Sequence, residues 1–290
     1  GQEHVPATGE VSGVVDSRPP EHPSRSADVL RAARAEGARP EPEIVPPLNI
    51  DAMSWPRAIR YALSIRTNVY LILASALGYF YLAGVQSFIL ILVRARYDVS
   101  QAVATLLVGA AGSGAILGVI AGGRVADWLI RRGRTSARLE VGAAAFGLSA
   151  IFLVPALLST ALPLAAGFFF FAAAALGASN PPMDAARLDV VQFQLWGRAE
   201  SVRSLLRTAL QAAGPLSFGA LSSVLGGGSM ATGTGSTGVA SAQNAEGLTL
   251  AFLAMVGTLL IAGLMAFLAR RPYPTDVVSA AAPLARSTFS

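Results

Sequence analysis

The sequence predicts an all-α polytopic membrane protein with six transmembrane helices. Of its 290 residues, 53% are hydrophobic and only 13% are charged, about half of the roughly 25% charged residues of a soluble domain. The mean hydropathy is +0.54. These values exclude an intrinsically disordered chain, and they disfavour a soluble nucleic-acid binder despite the net charge of +5.

Apolar runs divide the body of the chain, residues 68–271, into six predicted spans. A helix that crosses a membrane needs about 20 apolar residues. The predicted spans cover residues 69–93, 99–123, 139–159, 162–179, 205–225 and 248–269. The fifth span is the weakest of the six because it contains Arg207, Gln211 and Pro215.

Arginines are concentrated in alternate connecting segments, which predicts the orientation of the spans. If the first span leaves the cytoplasm, the outer loops carry only Arg94 and Arg96. The inner segments carry Arg57, Arg60, Arg66, Arg124, Arg131, Arg132, Arg134, Arg138, Arg187, Arg198, Arg203, Arg207, Arg270 and Arg271. Basic residues remain on the cytoplasmic side of membrane proteins. We therefore expect a multi-pass protein of the plasma (cytoplasmic) membrane with both termini in the cytoplasm.

The segments outside the spans are of three kinds. Residues 1–50 are rich in proline and charge, so we expect a disordered polar arm or linker. Residues 51–67 place Trp55 among apolar and basic residues, and we expect an amphipathic helix at the membrane surface. The alternative for this segment is a solvated lead-in to the first span. Residues 272–290 are expected to be a cytoplasmic tail.

Cysteine and histidine, which serve as ligands or catalytic groups in many metal and enzyme sites, are missing from residues 68–271. Cysteine is absent, and the two histidines, His4 and His22, both lie in the polar arm. The segment Asp184–Asp189 faintly resembles a motif of membrane CDP-alcohol phosphotransferases, but that motif's glycine and further carboxylates are absent. We expect no cofactor, no metal ion and no enzymatic activity.

Gly114, Gly118 and Gly122 repeat every four residues and therefore lie on one side of the second span. Small residues in such a stripe let another helix approach closely. We expect this stripe to serve helix packing.

An arginine-rich turn follows the stripe directly. The sequence continues through Gly123 and Asp127 to the residues Arg131, Arg132, Gly133 and Arg134. This stretch resembles the loop motif of the major facilitator superfamily, in which a glycine and an aspartate precede a Gly-Arg pair. Trp128 stands where the family has a basic residue, and the Gly-Arg pair is displaced by three residues, which resembles the spinster-like branch. The alternative is an ordinary cytoplasmic arginine cluster with one incidental aspartate.

A second charged segment precedes the fifth predicted span. Asp184 and Arg187 are three residues apart, as are Glu200 and Arg203, so each pair can meet on one helical face. Asn180 is expected to cap this helix. The resemblance implies that Asp127 pairs with Arg198 or Arg203 and forms a charge latch at a cytoplasmic gate. The alternative is a set of solvated surface pairs, each worth little.

Polar residues inside the spans mark candidate cavity positions. Ser75, Tyr79 and Gln86 lie on one stripe of the first span, and Gln211 interrupts the fifth. Such residues at membrane depth face protein or a water-filled cavity. Ordinary hydrogen bonds between helices would explain the same residues. No charged residue lies in the middle of any predicted span.

The resemblance as a whole implies one half of a larger carrier. The chain would be the C-terminal six-helix half of a twelve-helix transporter, built from two inverted three-helix repeats, with residues 1–50 as the end of the central linker. Expected partners are membrane lipid, a small organic or amphiphilic solute and the missing N-terminal half, but no nucleic acid. The alternatives are a non-transporting six-helix receptor or assembly subunit, and a half-size carrier that acts as a dimer.

Overall fold

The computed structural model describes residues 24–42, 44–45, 54–225 and 242–287. The regular elements within these ranges are helices, which confirms the all-α fold class. The α-helices are α1 (Ser24–Ala35), α2 (Trp55–Ser64), α3 (Arg66–Tyr97), α4 (Gln101–Arg131), α5 (Ala137–Leu158), α6 (Leu162–Val190), α7 (Trp196–Leu225), α8 (Ala242–Ala269) and α9 (Tyr273–Ser287). A short 3-10 turn, Phe193–Leu195, connects α6 to α7.

Five of the described helices are long and apolar enough to cross a membrane: α3, α4, α5, α6 and the part of α8 from Glu246 to Ala269. The helix α7 is as long as these, with 30 residues, but its sequence is less apolar, and it is not among the helices with the composition of a membrane span. It nevertheless packs along α3 and α8 and completes a six-helix bundle. The sixth membrane crossing, at residues 205–225, therefore stays a prediction.

The junction between the fourth and fifth predicted spans differs from expectation. The helix α6 continues without a break through Pro181 and Pro182 to Val190, so the prediction that Asn180 caps a new helix is wrong. A proline removes only one donor from the helical ladder, and packed neighbours can accommodate the freed carbonyl groups. The helix α7 likewise begins at Trp196 and not near residue 205. The charged residues of this junction therefore lie on the same helices as the apolar spans.

The bundle consists of two similar three-helix units. In the first unit α4 packs on α6 and α5 packs on α6; in the second unit α7 packs on α3 and α8 packs on α3. The two units also meet through α5 and α8. Exchanging α3, α4 and α5 for α6, α7 and α8 reproduces these main contacts. This is the arrangement expected of two three-helix repeats, α3–α5 and α6–α8.

The glycine stripe of α4 contacts the backbone of α6. A Cβ atom on Gly118 would lie 1.8 Å from the carbonyl oxygen of Ala174, and one on Gly122 would lie 2.1 Å from that of Ala178. On the other side of the contact, a Cβ atom on Gly177 would lie 2.3 Å from the Ala115 carbonyl oxygen. The two helices meet backbone to backbone, which only glycine permits at these positions.

The polar arm is more ordered than the sequence predicts. Residues 24–35 form α1, whose Val29 and Ala33 are fully buried, so the prediction of disorder is wrong for this segment. Its apolar side packs on α9, a partner within the predicted tail at 272–290. Composition alone cannot reveal such a pairing because neither helix buries enough apolar surface by itself. Most of the remaining arm and the loop at 226–241 lie outside the described residues.

Candidate functional site

A largely apolar cavity of about 440 Å³ lies between α3, α4, α5 and α6. Most of its lining is aliphatic, and the predicted candidate Gln86 contributes one of the few polar groups. Two buried hydroxyl groups, Tyr81 Oη and Ser149 Oγ, also belong to the lining, and neither has a hydrogen-bond partner. Both residues are 0% exposed, so their hydroxyl groups lie behind the cavity wall. The wall itself is an apolar surface with few polar groups, as in ligand pockets.

A second, narrow pocket of about 30 Å³ lies beside this cavity, among residues of α3, α5, α6 and α7. Leu82 and Leu176 belong to the lining of both pockets, so the two spaces are neighbours. The predicted candidates Ser75 and Tyr79 line the narrow pocket together with charged residues of α6 and α7. Polarity therefore increases from the large cavity towards the arginine-rich end of the bundle.

Four charged residues form a connected cluster between α6 and α7, which we call the charge junction: Asp184, Arg187, Glu200 and Arg203. Arg203 lies 2.9 Å from Asp184 and 3.0 Å from Glu200, and Arg187 lies 2.6 Å from Glu200. Asp184 and Arg187 are 4.0 Å apart. The pair expected within α6, Asp184 with Arg187, and the pair expected within α7, Glu200 with Arg203, are both present. Two further pairs, Arg203 with Asp184 and Arg187 with Glu200, join the two helices.

The charge junction is asymmetric in burial. The guanidinium side chains of Arg187 and Arg203 are 11% and 10% exposed, whereas the carboxylates of Asp184 and Glu200 are 50% and 42% exposed. Arg203 also donates a hydrogen bond of 3.4 Å to Ser75 Oγ on α3. Buried arginines need carboxylate partners because an unpaired buried charge is costly. The pairing of α6 with α7 therefore depends on these carboxylates.

One turn beyond the charge junction, α7 makes a further charged contact with α3. The guanidinium group of Arg207 lies 4.5 Å from the ring centroid of Tyr79, within the range of a cation–π interaction. Gln211, the last cavity candidate, is half-buried on the same helix and is not part of the lining of either pocket described above.

The arginine-rich turn after α4 is a helix stop with a defined geometry. Gly133 has a φ of 83° and donates its N–H to the Ile130 carbonyl, and the Arg134 N–H reaches the Leu129 carbonyl. A left-handed glycine at this position is a common way to end a helix. The backbone conformation at this position therefore explains why the predicted motif has glycine at residue 133.

The side chains of this turn have separate partners. Arg134 pairs with Glu140 at 3.4 Å, and Arg132 lies over the Trp128 ring at 3.7 Å from its centroid. Gly123 lies near Pro181 of α6, and Arg131 is exposed.

Asp127 is half-buried on α4, a helix that packs mainly on α6 and α5. Arg203 is engaged by Asp184 and Glu200, as described above. Arg198 lies 5.9 Å from the centroid of the Trp55 ring. The latch between Asp127 and either arginine stays a prediction.

Sequence reasoning missed a buried ionic contact at the base of the bundle. The side chains of Arg138 and Asp189 are 5% and 2% exposed and form an ion pair, and the Tyr273 hydroxyl of α9 donates to the same carboxylate. Burial raises the pKa of Tyr273, so the hydroxyl keeps its proton and remains a donor. No spacing rule links these residues because they come from α5, α6 and α9.

Solved structures share this arrangement of helices. One is a bacterial homolog of the human lysosomal transporter Spinster, in an inward-facing and occupied conformation, with a TM-score of 0.61 and 22% identity. The match covers 74% of this chain and 51% of that one. An inward-facing, unoccupied structure of such a homolog gives a TM-score of 0.64 and 21% identity, covering 80% of this chain and 53% of that one. The chain therefore has the fold of one part of these bacterial Spinster homologs.

The extent of the match is as informative as its quality. The chain spans about half the length of the solved transporters it matches. No protein-family model matches the sequence, and no curated protein matches it either. The spinster-like resemblance expected from the sequence motifs is confirmed at the level of the fold.

Proposed function

We propose that the chain is the C-terminal half of a secondary active transporter that moves a small organic or amphiphilic solute by alternating access. The observation that carries this proposal is the apolar cavity beside the charge junction, in a fold that covers about half of solved transporters. The missing N-terminal half would supply the other wall of the transport path. The solved neighbours are transporters by their description, and we extend this to propose that the chain is not an enzyme.

The lining of the cavity supports a solute with a substantial apolar part. Its volume of about 440 Å³ lies within the range of small-molecule pockets. Gln86, which lines the cavity and is exposed, offers an amide group to a polar atom of the solute, while the aliphatic lining suits a hydrocarbon segment. The lining contains no charged residue, which disfavours a small inorganic ion as the solute at this position.

The orientation of the chain follows from the same proposal. With the arginine-rich ends of the spans in the cytoplasm of a plasma-membrane protein, the charge junction and the narrow pocket lie on the inner side. The larger cavity then extends outward from mid-membrane. Movement of the two halves would close the inner side by contacts among arginines and carboxylates, and Asp127 is the residue we propose for the contact with α7.

The cavity is tested by filling it. In the native protein reconstituted in proteoliposomes, Ala173→Phe should reduce uptake of a fluorescent single-chain amphiphile by about tenfold or more, because Ala173 lines the cavity and is half-buried, so the ring occupies the proposed solute volume. Leu164→Phe is the matched control, since Leu164 lies on the same helix but is 60% exposed and does not line the cavity. Equal uptake by both variants and the wild type would contradict the assignment of the cavity.

The gate is tested separately. Asp127→Asn should leave expression and membrane insertion intact and should slow transport, because the amide cannot form the ion pair that the latch requires. Glu140→Gln is the control, since Glu140 pairs with Arg134 within the α4–α5 connection. Unchanged transport by Asp127→Asn would remove the latch from the proposal and leave the cavity assignment standing.

A further inference from the structure

The short helix α2 presents three different faces. Trp55, Ile59 and Leu63 are spaced by four residues and form one face, on which Trp55 is 55% and Leu63 is 42% exposed. Ala58 and Ala62 form a second face, which is buried. The remaining face is basic, as described below. Amphipathic helices of soluble proteins need only a buried face and a polar face, so the exposed apolar face requires another partner.

The position of α2 along the chain places that apolar face at the end of a membrane-crossing helix. The helix ends at Ser64 and α3 begins at Arg66. Its buried face packs on α7 and α3, and the Tyr61 hydroxyl donates a 3.0 Å hydrogen bond to the Ile44 carbonyl. The helix is therefore held against the bundle in one orientation, with Trp55 exposed. If the start of α3 lies at the membrane surface, the exposed tryptophan would have a favourable position in the interface.

The third face of α2 is positively charged and has no anionic partner in the part of the chain that the structure describes. Arg57 and Arg60 are exposed, and neither forms an ion pair or a hydrogen bond with the described residues. A third guanidinium group, that of Arg198, lies beside Trp55. Guanidinium groups bind phosphate oxygens in a bidentate manner.

We propose that α2 is a binding surface for anionic phospholipid of the surrounding bilayer. Trp55, Ile59 and Leu63 would contact the acyl chains, and Arg57 and Arg60 would contact the phosphate and the anionic headgroup. Because α2 packs on α7, with Arg198 beside Trp55, the lipid would be bound beside the helix that carries Glu200 and Arg203. This inference depends on the fold being embedded in a membrane and not on solute transport, so either proposal can fail alone.

The experiment measures which lipid surrounds α2. This chain contains no cysteine, so Leu63→Cys provides one labelling site on the exposed face. Any cysteine elsewhere in the native protein is first replaced by serine. The label is a fluorophore that brominated acyl chains quench, and the bilayers contain phosphatidylcholine and phosphatidylglycerol with one of the two lipids brominated. At equal mole fractions, brominated phosphatidylglycerol should quench between about 2-fold and 10-fold more efficiently than brominated phosphatidylcholine.

Charge variants identify the source of this preference. Adding Arg57→Gln and Arg60→Gln should make the two lipids quench equally while total quenching remains. Arg271→Gln is the matched control, because Arg271 is an exposed arginine after α8, a helix outside the main contacts of α2, and it should leave the preference intact. A label that is not quenched would show that this face of α2 lies outside the bilayer. Equal quenching by the two lipids in the protein that retains Arg57 and Arg60 would show that α2 has no preference for anionic lipid. Either result overturns the proposal.

Discussion

The contact between α4 and α6 and the contact between α3 and α7 occupy equivalent places in the two three-helix units, yet they are built differently. At the α4–α6 contact, the space beside Gly118 is filled by the backbone of Ala174. At the α3–α7 contact, the space beside Gly84 is filled by the Phe218 ring, 2.3 Å from where a Cβ atom would lie. The α4–α6 contact is made mainly by main chain. The α3–α7 contact combines one main-chain approach, in which a Cβ atom on Gly214 would lie 2.5 Å from the Phe80 carbonyl oxygen, with the packing of the Phe218 ring.

The difference matters because side chains have alternative rotamers and a helical backbone does not. Phe218 lies among the rings of Phe80, Tyr81 and Phe252, and Tyr81 also lines the large cavity. The α3–α7 contact further extends to the charge junction through Arg203 and Ser75. We therefore expect α4 and α6 to move as one body and the α3–α7 contact to adjust when the conformation changes.

The largest effect should come from Gly118→Ala. The added methyl group would lie 1.8 Å from a backbone oxygen, so the helices must separate, at a cost of about 3 kcal/mol or more. Gly109→Ala on the same helix meets nothing within 4 Å and should be neutral or slightly stabilising. Thermal unfolding of the detergent-solubilised native protein measures both. Equal unfolding temperatures for the two variants would refute the backbone contact.

The intermediate effect should come from Gly84→Ala, and it should be reversible by a second substitution. The methyl group would collide with the Phe218 ring, so Phe218→Leu in the same chain should restore part of the lost stability. At the other contact, Ala174→Gly should not rescue Gly118→Ala, because the colliding atom is a carbonyl oxygen that glycine retains. If neither double variant recovers, the distinction between the two contacts is lost.

The sequence pattern predicted well what depends on local composition. Long apolar runs identify α3, α4, α5, α6 and α8, because a membrane-crossing helix must be apolar along its own length. The glycine stripe at Gly114, Gly118 and Gly122 was likewise recognisable from its spacing. The continuation of α6 through Pro181 was not, because neighbouring helices decide whether a proline ends a helix.

Contacts between distant segments could not be predicted from the sequence alone. The sequence pattern placed Asp189 only in the charged segment Asp184–Asp189 beyond a predicted span. Its burial with Arg138 depends on how α5, α6 and α9 pack. The charge junction was half predicted. The spacing of Asp184 from Arg187 and of Glu200 from Arg203 was recognisable, but the cross-helix pairs require the sharp connection between α6 and α7.

The smallest effect should come from a titratable contact at the base of the bundle, where α9 is joined to the start of α3. The Asp276 carboxylate accepts a 2.9 Å hydrogen bond from the Thr67 N–H. Burial raises the pKa of Asp276 above its ordinary 3.8; the Thr67 hydrogen bonds lower it, Glu41 raises it further, and Arg66 lowers it. Tyr61 also faces this carboxylate. The net direction is upward, so the folded chain holds this proton more tightly than the unfolded chain.

The consequence for stability has a definite sign. The contribution of Asp276 is fully present below pH 3.8 and is lost as the pH rises through the raised pKa of the folded state. Asp276→Asn removes the ionisable group while keeping an acceptor for Thr67, so it should flatten this pH dependence. Hydrogen-exchange protection of α9, measured across that window, checks the prediction. The atoms nearest to Gly118 at the α4–α6 contact belong to the backbone of Ala174 and are not titratable, so hydrogen-exchange protection there should remain constant. A matching decline in both regions would mean that the whole bundle loses stability with pH, and the effect could not be assigned to Asp276.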